Sequence, residues 1–422
     1  MNRRFTAALI DISPLRESVP YRALWLGQVV SLMGSNMRMV AVAWQVFDVT
    51  GSTVAVGLVG LAEVIPLIVF SIIGGALVDR RDRRRLIAGA EVGLMLTSGA
   101  LAAVAFSANP SVPLIYAITA IASGLNAIDR PARSSLVPHL VPETKLSAAM
   151  ALRQVLFQTT TIIGPAVGGL LIATFEVAWV YLIDALTFSA ALYALRWIPL
   201  IPMMERTEPT TQVQAILEGL RFAARTPVLM SIFVIDLIAM IFGMPRAVFP
   251  ALSETTFNLG PQGVGLLYAA PAVGALIGAL TTGWVANVRR QGLAVLLSVT
   301  AWGVAITFAG LATFSIVLTV MLLAIAGAAD VFSAVFRGTI LLQRTPDHLL
   351  GRVNSLNIMV VTGGPRLGDV EAGLVAGAIG PAPSIVVGGL ACLVGTGAIA
   401  AWFPSLRNHV AQPRGTSAPL TS

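Results

Sequence analysis

The sequence predicts an all-α integral membrane protein with twelve transmembrane helices, and three observations lead to that prediction. Of its 422 residues, 56% are apolar and only 11% are charged, whereas roughly a quarter of the residues in an average soluble domain are charged. Apolar runs recur along the whole chain, each close to the roughly 20 residues with which a helix crosses a bilayer. The second half of the chain also repeats features of the first. We therefore expect two six-helix halves, related as parallel repeats, in lipid.

Turn residues and charges divide the apolar runs into twelve predicted helices. In chain order, the first six occupy residues 21–47, 53–77, 86–107, 113–128, 146–174 and 177–198. The last six occupy residues 228–250, 264–285, 293–313, 316–336, 354–380 and 384–403.

These helices define five segments of the chain. They are a cytoplasmic N-terminal arm (1–20), an N-terminal six-helix half (21–198), a cytoplasmic linker (199–226), a C-terminal six-helix half (227–403) and a cytoplasmic tail (404–422). The apolar stretch of the arm is interrupted by Asp11, so it is too short for the apolar region of a cleavable signal peptide. In the linker, Gln212 to Arg225 has the amphipathic pattern of a surface helix.

Lysine and arginine residues indicate which helix ends face the cytoplasm. Of the 27 basic residues, 24 fall on one side of the predicted bundle, in the arm, the linker, the tail, the loops and the helix ends beside them. The other three, Arg38, Arg246 and Arg366, lie within predicted helices or toward their far ends. The positive-inside rule therefore predicts a multi-pass protein of the cell (inner) membrane with both termini in the cytoplasm. This distribution accounts for the net charge of +7 without a nucleic-acid partner.

The duplication is clearest in the fourth and tenth helices. Asn126 and Arg133 correspond to Asp330 and Arg337, because each pair is seven residues apart and the two pairs are offset by 204. Parallel repeats around a midplane site are typical of transporters whose halves rock to expose that site alternately to each side. The sequence has no Gly-x4-Gly-Lys-Ser/Thr segment for ATP, so we expect an ion gradient to supply the energy.

A motif between the second and third helices resembles the loop signature of the major facilitator superfamily. It reads Gly75-x-Leu77-x-Asp79-Arg80-x-x-Arg83-Arg84-Arg85. Asp82 stands where that family usually has glycine. The resemblance implies a cytoplasmic latch between the halves, in which Asp79 meets the end of helix eleven and Arg83 meets Asp129 at the end of helix four. The alternative is that the arginines only set the topology.

A second motif, Gly164-Pro165-x-x-Gly168-Gly169 in helix five, resembles the end of the antiporter motif of proton-driven exporters. Its upstream glycines are replaced by Ala151 and Thr160, and close helix packing would explain the remaining glycines equally well. The segments 131–142 and 364–369 make the chain similar, from Pro20 to Phe403, to the subfamily that contains the enterobactin exporter. That resemblance implies a proton-coupled exporter of a siderophore, a drug or a similar amphiphile. A lipid or lysolipid flippase, or a solute importer, remains the alternative.

Charged residues within the predicted helices are candidates for proton coupling, because an ionised group at the bilayer centre costs on the order of 3 kcal/mol. Asp369 is the first candidate, since Arg366 lies three residues away on the same helix face and would modulate it. Glu91 and Arg246 lie nearer helix ends and rank lower. A purely structural charge cluster on helix eleven is the alternative. The further candidates are Glu371, Glu63, Asp236 and Asp330.

Polar side chains on helices one and five are candidates for a substrate cavity, although hydrogen bonds between helices are an alternative role for each. They are Arg38, Asn36, Gln28, Gln154 and Gln158. The single cysteine and three histidines are not spaced for a metal site or a nucleophile with its base. The sequence thus predicts no enzyme, cofactor or metal, and a monomer whose partners are a small-molecule substrate, protons and the bilayer.

Overall fold

The computed structural model describes residues 11–80, 82–199 and 212–411 and is almost entirely helical. A long helix lies at each of the twelve predicted positions. The first six are α1 (Val19–Thr50), α2 (Thr53–Arg80), α3 (Arg83–Ala105), α4 (Val112–Leu140), α5 (Leu146–Phe175) and α6 (Val177–Ala194). The last six are α7 (Pro227–Phe242), α8 (Gly260–Leu280), α9 (Gln291–Leu311), α10 (Ile316–Arg344), α11 (Asp347–Ile379) and α12 (Pro381–Trp402). The predicted fold class, an all-α membrane protein, is confirmed.

At ten of these twelve positions, within the described part of the chain, a span is long and apolar enough to cross a membrane, and at α7 that span continues beyond Phe242 to Thr256. The other two are α1 and α11, which carry several charged residues within their length. Large apolar side chains remain exposed on many helices, as Leu186, Leu280 and Val394 illustrate. An apolar outer surface of this kind is what a lipid environment requires.

Contacts between Cα atoms divide the chain into two compact units. The first unit comprises the described residues of Met1–Pro209 together with Ser253–Ala269, and the second comprises those of Thr210–Leu252 and Ala270–Ser422. Ser253–Ala269 belongs to the first unit because α8 approaches α5 closely there. A Cβ atom on Gly169 would lie only 2.5 Å from the carbonyl oxygen of Pro261, so glycine permits this contact.

Glycines also set the packing of α5 on α1 in the first unit. A Cβ on Gly164 would lie 2.5 Å from Cβ of Asn36, and a Cβ on Gly168 would lie 3.0 Å from Cα of Met37. The same arrangement recurs in the second unit, where Gly364 and Gly368 of α11 face Met240 and Ile241 of α7. Asn36 and Met240 are 204 residues apart in the sequence, the offset that relates the repeats.

Helices α4 and α10 are longer than predicted. We predicted an end at residue 128 for α4, but the helix continues to Leu140 and includes Pro131 and Pro138. A proline removes one backbone donor from a helix, and side chains hold the turn around Pro131, where Arg133 Nε donates to Asp129 Oδ2 over 2.6 Å. Helix α10 was predicted to end at residue 336 and ends at Arg344. The prediction ended both helices where charged or proline residues began.

Helix seven was predicted as one helix over 228–250, and a membrane span lies there from Pro227 to Thr256, but it is interrupted within that range. Helix α7 ends at Phe242, and a 3₁₀ turn, Arg246–Val248, follows after Gly243. Trp302 of α9 donates its indole N–H to the carbonyl oxygen of Gly243 over 3.0 Å, where a larger side chain would meet that indole. Pro245, which cannot continue the hydrogen-bond ladder, completes the interruption. Arg246 therefore lies at the start of a new turn.

The predicted surface helix of the linker is present as Gln212–Arg225. Glu218 of this linker helix forms an ion pair with Arg352 near the start of α11. Gly219 faces the backbone carbonyl of the same arginine, where a Cβ would lie 2.7 Å from the oxygen. These contacts attach the linker helix to α11 within the second unit.

Candidate functional site

Among the described residues, four arginines whose side chains are at most 18% exposed form ion pairs with carboxylates. They are Arg38 and Arg133 in the first unit and Arg246 and Arg337 in the second. Pairing is the arrangement by which a charge is tolerated away from water. These arginines and their partners are therefore the strongest candidates for function in the described chain.

The Arg133 cluster consists of Arg133, Glu91 and Asp129. Arg133 of α4 donates through Nη2 to Glu91 Oε1 on α3 and through Nε to Asp129 Oδ2 one turn earlier on its own helix. All three side chains are at least nine-tenths buried. One arginine thus neutralises one of two buried carboxylates, and a formal charge of −1 remains.

A small cavity adjoins the Arg133 cluster. Its volume is about 20 Å³, which is enough for one water molecule. It lies between α1, α3, α4, α5 and α6, and its polar lining includes Gln28, Ser31, Ser35, Glu91, Asn126, Asp129, Arg130 and Arg133. A polar chamber of this size suits a water or a proton, and it is far smaller than a pocket for a drug-sized molecule.

The Arg337 cluster consists of Arg337, Asp236 and Asp330 in the second unit. Arg337 of α10 pairs through Nη1 with Asp236 Oδ1 of α7 and lies 3.6 Å, through Nη2, from Asp330 Oδ1 of its own helix. The Asp236 side chain is 3% exposed, whereas that of Asp330 is 36% exposed. The composition matches that of the Arg133 cluster, because Arg133 and Arg337 are the equivalent residues of the two repeats. This cluster also retains one uncompensated negative charge.

Asp369 of α11 forms an ion pair with Arg246, with 3.0 Å between Asp369 Oδ2 and Arg246 Nη2. Arg246 reaches it from the turn that follows the interruption of α7. Arg366 donates from Nη1 to the carbonyl oxygen of Thr362 over 3.1 Å, one turn earlier on α11. Glu371 is half-buried on the same helix and has no ion-pair partner among the described residues. Asp369 thus forms an ion pair with Arg246, a residue that the sequence analysis ranked low.

Arg38, a predicted cavity residue, lies in a buried network between α1, α3 and α6. Its Nη1 donates to Ser98 Oγ over 2.9 Å, Ser98 Oγ donates to Asp184 Oδ2 over 2.6 Å, and Arg38 Nη1 lies 3.4 Å from the same carboxylate oxygen. Asp184 and Ser98 are fully buried. The charge of Arg38 is therefore neutralised inside the first unit.

The other predicted cavity residues do not form one group. Gln28 lines the small cavity, whereas Asn36 donates to the carbonyl oxygen of Leu32 on its own helix over 2.8 Å. Gln158 is half-buried and Gln154 is exposed. Glu63, the proton-coupling candidate on α2, is half-buried. Gln28 therefore lies beside the Arg133 cluster.

The predicted latch is partly outside the described residues. Gly75, Asp79 and Arg80 lie in the last turns of α2, and their side chains belong to the part of the chain that is not described. Arg83 donates to the carbonyl oxygen of Ser135 over 3.2 Å, and Arg84 donates to that of Ile198 over 3.0 Å. Asp129 accepts from Arg133, so the expected pair with Arg83 is not formed in this structure.

Sequence reasoning did not propose Arg133 and Arg337 as members of the site, and it ranked Glu91 and Arg246 low. A signal for two of them was present, because the duplication itself singles out Arg133 and Arg337. Glu91 and Arg246 were ranked low because they lie near helix ends. Their burial depends on partners from other helices, which one sequence does not show.

Comparison with known proteins places the chain among membrane transport proteins. A family model described as "Transmembrane secretion effector" matches residues 10–418. The chain is 30% identical over 388 residues to enterobactin exporter EntS of Shigella boydii serotype 18 (strain CDC 3083-94 / BS512), covering 92% of each protein. The same identity and coverage hold for enterobactin exporter EntS of Escherichia coli O1:K1 / APEC.

Solved structures with the same fold are more distant in sequence. The crystal structure of nucleoside transporter NupG matches with a TM-score of 0.70 at 13% identity, covering 92% of this chain and 98% of that one. A bacterial homologue of the iron transporter ferroportin in an inward-facing state matches with a TM-score of 0.69 at 15% identity, covering 91% and 98%. These likenesses show the fold alone.

Proposed function

The chain belongs to the transmembrane secretion effector family of the major facilitator superfamily, and on that premise we propose that it exports a siderophore, a drug or a similar amphiphilic small molecule in exchange for protons. The protein is a membrane transporter and not an enzyme. The observation that supports the proposed direction and substrate class is the similarity to enterobactin exporters at 30% identity over 92% of both chains.

Proton coupling is proposed at Asp369 and at the Arg337 cluster. A carboxylate paired with an arginine in a desolvated site has a proton affinity that changes when the pair separates. Asp369 meets this requirement, because its partner Arg246 is carried by a separate turn after the interruption of α7. Asp236 and Asp330 share a single arginine, so one proton would neutralise their cluster. Arg366, Glu371 and Glu63 remain proposed contributors on α11 and α2.

Alternating access is the mechanism we propose for the two repeats, with the halves 21–198 and 227–403 joined by the linker 199–226. Protonation and substrate binding would bias the same equilibrium in opposite directions, which is what exchange requires. Arg38, Asn36, Gln28, Gln154 and Gln158 are retained as proposed substrate contacts, and the loop of Asp79 and Arg83 as a proposed latch. On the positive-inside rule, we propose that both termini and the linker lie in the cytoplasm.

Proton movement in everted membrane vesicles tests the proposal. Vesicles that contain the protein are energised, a pH-sensitive dye reports the internal pH, and siderophores, antibiotics and cationic dyes are added in turn. We expect at least one siderophore or amphiphilic drug to release protons from the vesicles. Asp369→Asn should abolish this response, because the amide does not ionise.

A matched variant, Asp48→Asn, makes the same chemical change at an exposed residue near the end of α1 and should keep the response of the unaltered protein. If folded, inserted protein gives no proton movement with any compound, export by proton exchange is rejected. Movement of a labelled lipid headgroup in those vesicles would then support the flippase alternative.

A further inference from the structure

The small cavity beside the Arg133 cluster has a polar lining that the proposed coupling at Asp369 and Arg337 does not use. We propose that Glu91 in this cavity is a further proton-binding site, located in the first unit. Its role as a coupling site rests on the proposed function, whereas the binding of a proton at this position does not.

The first argument is the state of the carboxylate oxygens. Arg133 occupies Glu91 Oε1 and Asp129 Oδ2. The remaining oxygens, Glu91 Oε2 and Asp129 Oδ1, are buried and have no hydrogen-bond partner. The two side chains are only 2% and 9% exposed, and both residues line the cavity of about 20 Å³. Leaving a buried carboxylate oxygen without a hydrogen-bond donor costs free energy. A proton on one of these two oxygens, together with a water molecule in the cavity, would give both oxygens a hydrogen-bond partner.

The second argument is the charge of the lining. From α3 the charged residue is Glu91, and from α4 the charged residues are Asp129, Arg130 and Arg133. The lining from α1 consists of neutral Gln28, Ser31, Leu32 and Ser35, and α5 and α6 contribute Phe157 and Phe188. Arg130 is exposed, so solvent screens its charge. The buried groups therefore sum to −1, and one proton makes the cluster neutral.

Glu91 is the carboxylate that receives this proton. Both carboxylates pair with Arg133, but the Glu91 side chain is 2% exposed and that of Asp129 is 9% exposed, so burial penalises the charge of Glu91 more. A glutamate also binds a proton more readily than an aspartate in water. Uptake forms an O–H bond at Glu91 Oε2 with a proton taken from bulk water, and release breaks that bond and returns the proton to water.

The repeat gives this site a counterpart. The Arg337 cluster also consists of one arginine and two carboxylates with a net charge of −1. The helices that supply the second carboxylate differ, being α3 for Glu91 and α7 for Asp236. Each unit thus carries one arginine-centred site for one proton.

Infrared spectroscopy of the purified protein tests the site without any substrate. At about pH 6 exposed carboxylates, which titrate near pH 4, are ionised. The C=O band of a protonated carboxylic acid therefore reports buried acids only. We expect this band in the unaltered protein, and Glu91→Gln should remove the intensity of one carboxyl group. Asp129→Asn should remove the same intensity, because Arg133 would then stabilise Glu91 in its ionised form.

Glu143→Gln, at an exposed position before α5, is the matched control and should leave the band unchanged. Thermal unfolding of each variant shows whether it is folded, and the two cluster variants serve as independent tests. Retention of the full band in folded Glu91→Gln and folded Asp129→Asn would overturn the proposal. If the two variants lose the band but the unaltered protein exports nothing, the proton site is supported and the proposed function is rejected.

Discussion

Replacing Glu176 by glycine should stabilise the protein. Glu176 connects α5 to α6 with φ 76° and ψ 160°, a backbone region that is essentially restricted to glycine. Its equivalent in the second repeat, 204 residues later, is Gly380, which has φ 92° and ψ 164° between α11 and α12. The two repeats thus require the same backbone conformation, and only the second has the residue suited to it.

The expected gain follows from two opposing terms. A side chain in this region costs about 1–3 kcal/mol, and glycine loses about 0.5–1 kcal/mol through the greater freedom of the unfolded chain. Glu176→Gly should therefore raise the free energy of unfolding by about 1 kcal/mol. The side chain is exposed, so little packing is lost.

Reversible unfolding in mixed detergent micelles measures this change, and two further variants isolate its cause. Glu176→Ala keeps a Cβ atom and should leave the free energy of unfolding unchanged, whereas Gly380→Ala should lower it by about 1 kcal/mol. If Glu176→Ala stabilised the protein as much as Glu176→Gly, the removed charge would be responsible and the backbone argument would be refuted.

Two further predictions concern helix packing and pH. Gly168→Ala would place a Cβ 3.0 Å from the backbone of Met37 and should lower the thermal midpoint of unfolding. Gly99→Ala, which has open space around its Cβ, should raise or maintain that midpoint. Equal midpoints for the two variants would contradict the packing argument. Burial, and then the charge of Arg344, lowers the pKa of His409 below 6.5. The imidazole of His409 therefore binds a proton more readily in the unfolded chain than in the folded one. The free energy of unfolding should consequently fall as the pH decreases from about 6.5 through the pKa of His409 in the folded protein. His409→Gln should reduce this loss of stability at low pH, which is measured as the thermal midpoint of unfolding at a series of pH values. His348→Gln, at an exposed position, should not reduce it.

The sequence was sufficient for the fold class and for the approximate position of each helix, because a run of about 20 apolar residues is long enough to cross a bilayer and too apolar for a helix in water. The predicted ends of helices were wrong where a helix continues through polar residues. Arg133 lies beyond the predicted end of α4, yet it pairs with two carboxylates and the helix continues. The break in α7 depends on Trp302, which reaches Gly243 from another helix.

The candidate site was predicted less completely than the fold. Asp236, Asp330 and Asp369 were proposed from the sequence because each is a carboxylate within an apolar run. The pairing of Asp236 with Arg337 and of Asp369 with Arg246 was not, because it joins different segments of the chain. Repeat symmetry does not identify those partners, since Arg133 takes its second partner from α3 and Arg337 takes its own from α7.

The most direct test of proton-coupled export is transport by the purified protein in liposomes under an imposed pH gradient. The gradient is set without a membrane potential, and the movement of a siderophore that was active in the vesicle assay is followed. We predict accumulation on the acidic side, reversal when the gradient is reversed, and loss of this response in Asp369→Asn but not in Asp48→Asn. Movement that is independent of the direction of the pH gradient would contradict the account.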